Sequence, residues 1–440
     1  MTESEPAPSR SRRRVRPRRE RPVDPTPETD QAAPEEPAVP LLELREALPE
    51  VIDTPGALAD AVARVAAGSG PVALDAERAS GYRYSARAYL IQLRREGAGS
   101  MLIDPIPFGN LTALDEAIGD AEWILHAATQ DLACLRELGL RPRRLFDTEL
   151  AARLLGHPRV GLATLTETII GRRMRKEHSA VDWSKRPLPR PWLEYAALDV
   201  EVLIELRDHL AAELEEAGKA QWAEEEFTWL LDFTPAVRQD PWRRTSGIHR
   251  LRNRRAVAAV RELWLARDEL ATEKDVTPGR LLPDASIIAA ARKLPAGKGA
   301  LLATEGFHGR AARSEVDRWL AALDRARSLP EDELPAHAAR GDGPPQVRSW
   351  ADRDPLAAAR LVAARAAISA RSEELSVPVE NMLTPDLLRR VLWTPPQVDD
   401  SEMESAVGAE LADRGARPWQ IALTAPLIAE AIVTAEVPED

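Results

Sequence analysis

Cysteine is nearly absent from the chain: Cys134 stands alone in 440 residues. No internal disulfide can form, which fits a reducing, cytoplasmic setting. The histidines are scattered and the lone cysteine has no ligand spacing, so no structural zinc site is expected. No run of eighteen or more apolar residues occurs. A membrane-spanning helix and a membrane partner are therefore not expected. The opening MTESEPAPSRSRRR has basic residues but no apolar stretch behind them, so it does not read as a secretory signal. There is no Gly-x-Ser-x-Gly nucleophile elbow. Pro295-Ala-Gly-Lys298-Gly has Arg292 where a phosphate loop needs glycine, and no hydroxyl residue follows the lysine. Phenylalanine is scarce, with 5 against 11 tryptophans. Trp229, Trp264 and Trp319 lie in helical stretches and read as packing residues.

What is present is an ordinary globular composition, 44% hydrophobic and 30% charged, with a net charge of −12. That average disfavours a nucleic-acid partner, but binding follows local patches. Basic residues cluster from Arg10 to Arg21, at Arg172, Arg173, Arg175 and Lys176, at Lys185-Arg186, and at Arg250, Arg252, Arg254 and Arg255. Each cluster could contact phosphate or form a solvated face. Tyr82 and Tyr84 could stack on unpaired bases, whereas Tyr89 lies in an apolar strand pattern and fits the core.

Residues 1–40 are rich in Pro, Glu and Arg and read as disordered. From 41 to 225, short strands alternate with helices. Val72–Leu74, Tyr89–Leu93, Met101–Ile103 and Trp123–Leu125 read as strands. Ala57–Ala67, Leu111–Ile118, Leu132–Leu138, Asp147–Leu155 and Leu162–Ile170 read as helices, and Trp192 to about Glu216 as one long helix. This order predicts an α/β domain with a central sheet. Beyond 225, Ala, Leu, Arg and Glu dominate. Two small all-helical units are expected, over 242–323 and 351–435, joined by a linker over 324–350.

Acidic residues carry the chemical signal. Asp75 and Glu77 end an apolar strand two residues apart, so both side chains face one way and can share a hard divalent cation. A solvated strand end is the plainer reading. Tyr195 and Asp199 lie four apart on one helix face. They suit a metal ligand with a water-positioning phenol, or a core tyrosine beside a surface acid. Asp131 starts a helix after the strand Trp123-Ile-Leu-His126, where charge at a helix end is also favourable. Asp147 reads as a cap.

The run Leu74-Asp75-Ala-Glu77, continued through Tyr82, Tyr84, Arg87, Tyr89 and Gln92, resembles the first exonuclease motif of the ribonuclease D family. Leu125-His126-Ala-Ala-Thr-Gln130-Asp131-Leu resembles the second motif. Tyr195-Ala-Ala-Leu-Asp199-Val resembles the third in its tyrosine-containing version, and Asp182-Trp183-Ser-Lys-Arg186-Pro187-Leu188 upstream is similar too. Many relatives carry asparagine near the place of His126, and histidine agrees with the ribonuclease D branch. His126 reads as a packing or supporting residue rather than a base. Val276-Thr-Pro278 to Leu282-Pro283 resembles the helicase-and-ribonuclease-D C-terminal (HRDC) domain, and the second helical unit is a looser match.

The resemblance implies a ribonuclease H-like exonuclease domain and two divalent cations, Mg²⁺ or Mn²⁺. Asp75 would bridge them, Glu77 and Asp199 would hold one, and Asp131 would help hold the other. Tyr195 would orient the attacking water. The implied substrate is RNA with a free 3′ end, such as a tRNA precursor or another stable RNA; the sequence leaves the number of subunits open, with a monomer favoured. The competing readings are a DNA 3′–5′ exonuclease and a noncatalytic RNA-binding scaffold. The complete set of five residues argues against the scaffold.

Overall fold

The computed structural model describes residues 39–175, 180–336 and 343–437. The basic run Arg10 to Arg21 and Lys176 lie outside them. Six strands form one mixed sheet: β1 (Val51–Ile52), β2 (Ser69–Arg78), β3 (Ala88–Glu96), β4 (Gly99–Ile103), β5 (Glu122–Leu125) and β6 (Arg144–Asp147). Their spatial order is β1-β4-β3-β2-β5-β6. The strands β2, β3 and β4 are antiparallel neighbours, while β5 and β6 continue parallel to β2 on one side. The two outer strands were not foreseen. The central strands run longer than their apolar cores suggested.

Among the described residues, nine α-helices precede or open the C-terminal half: α1 (Pro55–Ala66), α2 (Thr112–Ile118), α3 (Leu132–Glu137), α4 (Thr148–Leu155), α5 (Leu162–Leu165), α6 (Arg190–Glu201), α7 (Leu203–Glu216), α8 (Ala220–Leu231) and α9 (Arg254–Lys274). The start of α1 has Thr54 accepting the Ala57 N–H and Pro55 in the first turn, both favourable there. A π turn over Thr166–Ile170 extends α5 to Gly171. The single helix expected from Trp192 to Glu216 is broken at Val202, which joins α6 to α7.

Both sheet faces are covered, so the central strands carry apolar residues toward both faces. Leu74, Ile91, Leu93, Met101, Ile103 and Leu125 pack on one face with residues of α1, α2 and α3. On the other, Leu90 and Leu102 meet Trp183, Ala196 and Ala197 of the α6 region, and Ala73 and Ile124 meet Val200 and Leu203. Asp75 and Glu77 alternate with Leu74 and Ala76, which places them on this second face, beneath α6.

The C-terminal half has two further cores. One gathers Leu263, Leu270, Ile287, Phe307, Trp319 and Leu323 around α9 and the helix Val316–Ser328. The other gathers Trp350, Leu361, Ile368, Val391, Leu411 and Ile428. The helix Val316–Ser328 continues past 323, and Trp350 is buried in the last core, so both ends of the expected linker belong to packed units. Trp319 is buried as expected, whereas Trp229 is 42% exposed and lies beneath the Arg417 guanidinium.

Both helical units contact the α/β domain. The first grips the loop between β2 and β3. Thr277 N–H donates to the Tyr82 carbonyl (3.1 Å), Arg280 Nε to the Gly81 carbonyl (3.0 Å), and Ser85 N–H to Asp275 Oδ1 (2.9 Å). The second packs Trp419 on Trp222, ring centroids 5.1 Å apart, and Glu226 accepts from both Trp419 Nε1 and Arg417. Gly156 ends α4 with φ +81, and a Cβ there would strike the Ser376 carbonyl oxygen of the second unit. Among the described residues, no helix is long and apolar enough to cross a membrane.

Candidate active site

One cavity of about 740 Å³ is lined by all five residues singled out in the sequence: Asp75, Glu77, Asp131, Tyr195 and Asp199. Each arrives by a different local rule. The two-residue period of β2 aims Asp75 and Glu77 together. The α6 helix lays Tyr195 and Asp199 on one face, four residues apart. Asp131 is set by a tight turn after β5. Ala127 adopts a left-handed conformation (φ 60), uncommon outside glycine, and its N–H donates to Asp147 Oδ1 at 3.0 Å. The Ala128 N–H meets Asp147 Oδ2 at 2.8 Å, while the Glu149 and Leu150 N–H groups at the start of α4 meet Oδ1. Asp147 is thus the expected cap and also the clamp on the Asp131 loop. Asp131 makes no capping hydrogen bond to its own helix, so its carboxylate is available to the cavity.

Carboxylate oxygens of Asp75, Glu77 and Asp199 lie within 4.8 Å of one another. Asp131 stands apart from that trio and pairs with Arg78 at 3.4 Å. Burial pushes all four acids toward the protonated form, and repulsion by Asp75 adds to it at Glu77, Asp131 and Asp199. Glu77 is raised to about 10, by burial first and then by Asp75, Asp199 and Asp131. The Tyr195 phenol is also raised, by burial and then by Asp199, Glu77 and Asp75, and it donates to Asp199. A cluster of hard oxygen donors that repel one another fits divalent cations.

The part played by Arg78 was not legible in advance, since an arginine beside two acids reads equally as a surface charge. The basic residues divide. Arg175 lines the cavity, and Arg172, Arg173, Lys185, Arg250 and Arg252 are exposed. Arg186, Arg254 and Arg255 are engaged by the chain itself. Arg186 is bound to Asp104 (2.8 Å) and to the Trp183 and Tyr89 carbonyls. Arg254 bonds the Leu334 carbonyl, and Arg255 holds the carbonyls of Ala326, Arg327 and Leu329 together with Glu331. These guanidiniums hold the fold together. The tyrosines are likewise engaged: Tyr82 lies 4.1 Å beneath Arg280, Tyr84 bonds Asp268, and Tyr89 is buried with its hydroxyl near Asp275.

Comparison with known proteins first defines the class. A family model described as 3′-5′ exonuclease matches residues 49–215, one described as HRDC domain matches 257–323, and one described as 3′ to 5′ exonuclease C-terminal domain matches 343–432. The architecture is a ribonuclease H-like mixed α/β exonuclease core followed by HRDC and helical domains. Ribonuclease D of Jannaschia sp. is 32% identical over 345 residues, covering 75% of this chain and 85% of that protein. Ribonuclease D of Escherichia coli is 31% identical over 270 residues, covering 60% and 71%. The chain belongs to the ribonuclease D family. A crystal structure of a Bifidobacterium adolescentis protein is 40% identical, with a TM-score of 0.82, covering 90% of this chain and 99% of that one. The crystal structure of Escherichia coli RNase D, described as an exoribonuclease involved in structured RNA processing, is 27% identical with a TM-score of 0.62, covering 83% and 98%.

Proposed function

We propose that this chain is a metal-dependent 3′–5′ exoribonuclease that hydrolyses the last phosphodiester of an RNA 3′ end and releases a nucleoside 5′-monophosphate. The observation that carries the reading is the convergence of four buried or half-buried acids and a protonated phenol on one cavity. Asp75, Glu77 and Asp199 would hold one divalent cation, with Asp75 and Asp131 holding a second, Mg²⁺ or Mn²⁺. Such ions stabilise the attacking and leaving oxygens of an in-line displacement. The chain's own groups do the rest. Tyr195 keeps its proton and donates it in a hydrogen bond to Asp199, so the lone pairs of the phenol oxygen can accept a hydrogen from the attacking water and orient it. The water oxygen forms a bond to phosphorus, the bond from phosphorus to the preceding O3′ breaks, and the freed O3′ takes a proton. Arg78 fixes the Asp131 carboxylate from one side. Arg175 offers a positive charge at the cavity wall. Transfer RNA precursors and other stable RNAs with 3′ extensions in the cytoplasm are the proposed substrates.

The identity of the product tests this. With uniformly labelled RNA and Mg²⁺, the released label should run as nucleoside 5′-monophosphates. Nucleoside 3′-monophosphates, or long internal fragments, would contradict the proposed bond cleavage. Faster shortening of matched DNA would keep the chemistry and change the substrate class.

A further inference from the structure

His126 lines the catalytic cavity one residue beyond β5. In the sheet, Ala73 of β2 pairs with Ile124 of β5, so two residues on, Asp75 and His126 share a face. Its Nδ1 lies 2.9 Å from Thr148 Oγ1. Thr148 is fully buried, and its hydroxyl donates to the Leu125 carbonyl at 3.3 Å, an atom that can only accept. With the single hydroxyl proton spent on that carbonyl, Nδ1 is the atom that carries the hydrogen joining the ring to Oγ1. The ring is left as the Nδ1–H tautomer, with a bare lone pair on Nε2. Burial lowers the histidine to about 4, so the ring is uncharged at neutral pH. Among the described residues nothing bonds Nε2.

An uncharged acceptor in a nucleic-acid cleft is selective. Phosphate oxygens also present lone pairs and are repelled. Ribose hydroxyls are donors, and DNA lacks the 2′-hydroxyl. We propose that His126 Nε2 accepts a hydrogen bond from a ribose 2′-hydroxyl at the 3′ end of the bound strand, making His126 a determinant of RNA over DNA. This inference rests on the exonuclease reading above. A deoxyribose in the same place leaves the lone pair unpaired in a confined site, which is the situation in which hydrogen-bonding sites discriminate most strongly.

The test uses the full chain and three 5′-labelled oligonucleotides: all-ribo, and the same strand with one 2′-deoxynucleotide at the last or at the penultimate position. The wild type should remove the first nucleotide from the all-ribo strand about tenfold or more faster, in kcat/KM, than from one of the two deoxy strands. In His126→Phe that ratio should fall to within about twofold whatever happens to the overall rate, and His126→Gln, which keeps an acceptor, should restore part of it. A wild type that does not discriminate at either position overturns the proposal, as does a Phe variant that keeps the ratio. No shortening of the all-ribo strand would instead overturn the exonuclease reading itself. Should the Phe variant not fold, ¹⁵N-histidine spectra of the wild type decide. The free protein should show the Nδ1–H tautomer at His126, and AMP should shift its Nε2 where 2′-deoxy-AMP does not. An Nε2–H tautomer, or equal shifts with both nucleotides, overturns the proposal.

Discussion

Asp75 is the acid on which the others converge. Its charge raises Glu77, Asp131 and Asp199, and burial acts on all four in the same direction. Replacing Asp75 or Asp199 with asparagine should lower turnover at least about 100-fold. Because each change removes a repelling charge, the metal-free variant should melt no lower than the wild type. Near-normal turnover in either folded variant would contradict the assignment. Glu77 gives a pH test. Its folded-state value, about 10, lies above the ordinary 4.5. Between those values the folded metal-free chain holds a proton that the unfolded chain has released. The associated stability is present below 4.5 and is lost as pH rises toward 10, by up to about 1.4 kcal/mol per pH unit. Melting curves in chelator should therefore fall with pH more steeply for the wild type than for Glu77→Gln. Parallel curves would mean that Glu77 is ionised in the metal-free fold. Tyr195→Phe should lower turnover and leave RNA affinity less affected, because only the water-orienting oxygen is lost.

The elements explain why these side chains meet. A strand's two-residue period and a helix's four-residue reach are local properties, so the pairs Asp75/Glu77 and Tyr195/Asp199 were legible in the sequence. The turn holding Asp131 was legible only in part. Asp147 reads as a helix cap, but its second task, binding the Ala127 and Ala128 N–H groups, joins residues some twenty apart, and no local pattern encodes it. The break at Val202 left no sign either. No glycine or proline marks it, and the change of direction is set by α6 lying over β2, β3 and β4 while α7 lies over β2 and β5. Strand β6 was missed because Arg144-Leu-Phe-Asp147 is too short to display an alternation. Asp147→Ala should destabilise the protein by roughly 2–4 kcal/mol, from a lost cap and stranded buried N–H groups. Urea unfolding measures it, and a change below about 0.5 kcal/mol would show that the turn does not depend on this carboxylate.

At the scale of the whole molecule, both helical units brace the exonuclease core through polar contacts, and those of the second are buried. Glu226 is 4% exposed and joins α8 to Arg417 and Trp419. Glu226→Ala takes the carboxylate partner from the Arg417 guanidinium and the acceptor from the Trp419 indole N–H, and should cost roughly 3 kcal/mol. Faster proteolysis between the units would accompany it, while unchanged unfolding would place the bracing elsewhere. Such contacts join residues nearly two hundred positions apart, which is why composition suggested separate helical modules but not their docking. The same holds for the basic surface. Sequence clusters grouped Arg254 and Arg255 with Arg250 and Arg252, yet only the latter two are exposed.

The central claim is metal-dependent shortening of RNA from its 3′ end by the acids around Asp75. It is tested most directly by a time course on a 5′-labelled, 3′-extended RNA with Mg²⁺, Mn²⁺ or chelator, for the wild type and Asp75→Asn. The account predicts a ladder of progressively shorter RNA with either metal, none in chelator, and none with the variant. Shortening that persists in chelator or in Asp75→Asn, or no shortening by the wild type with either metal, would contradict it.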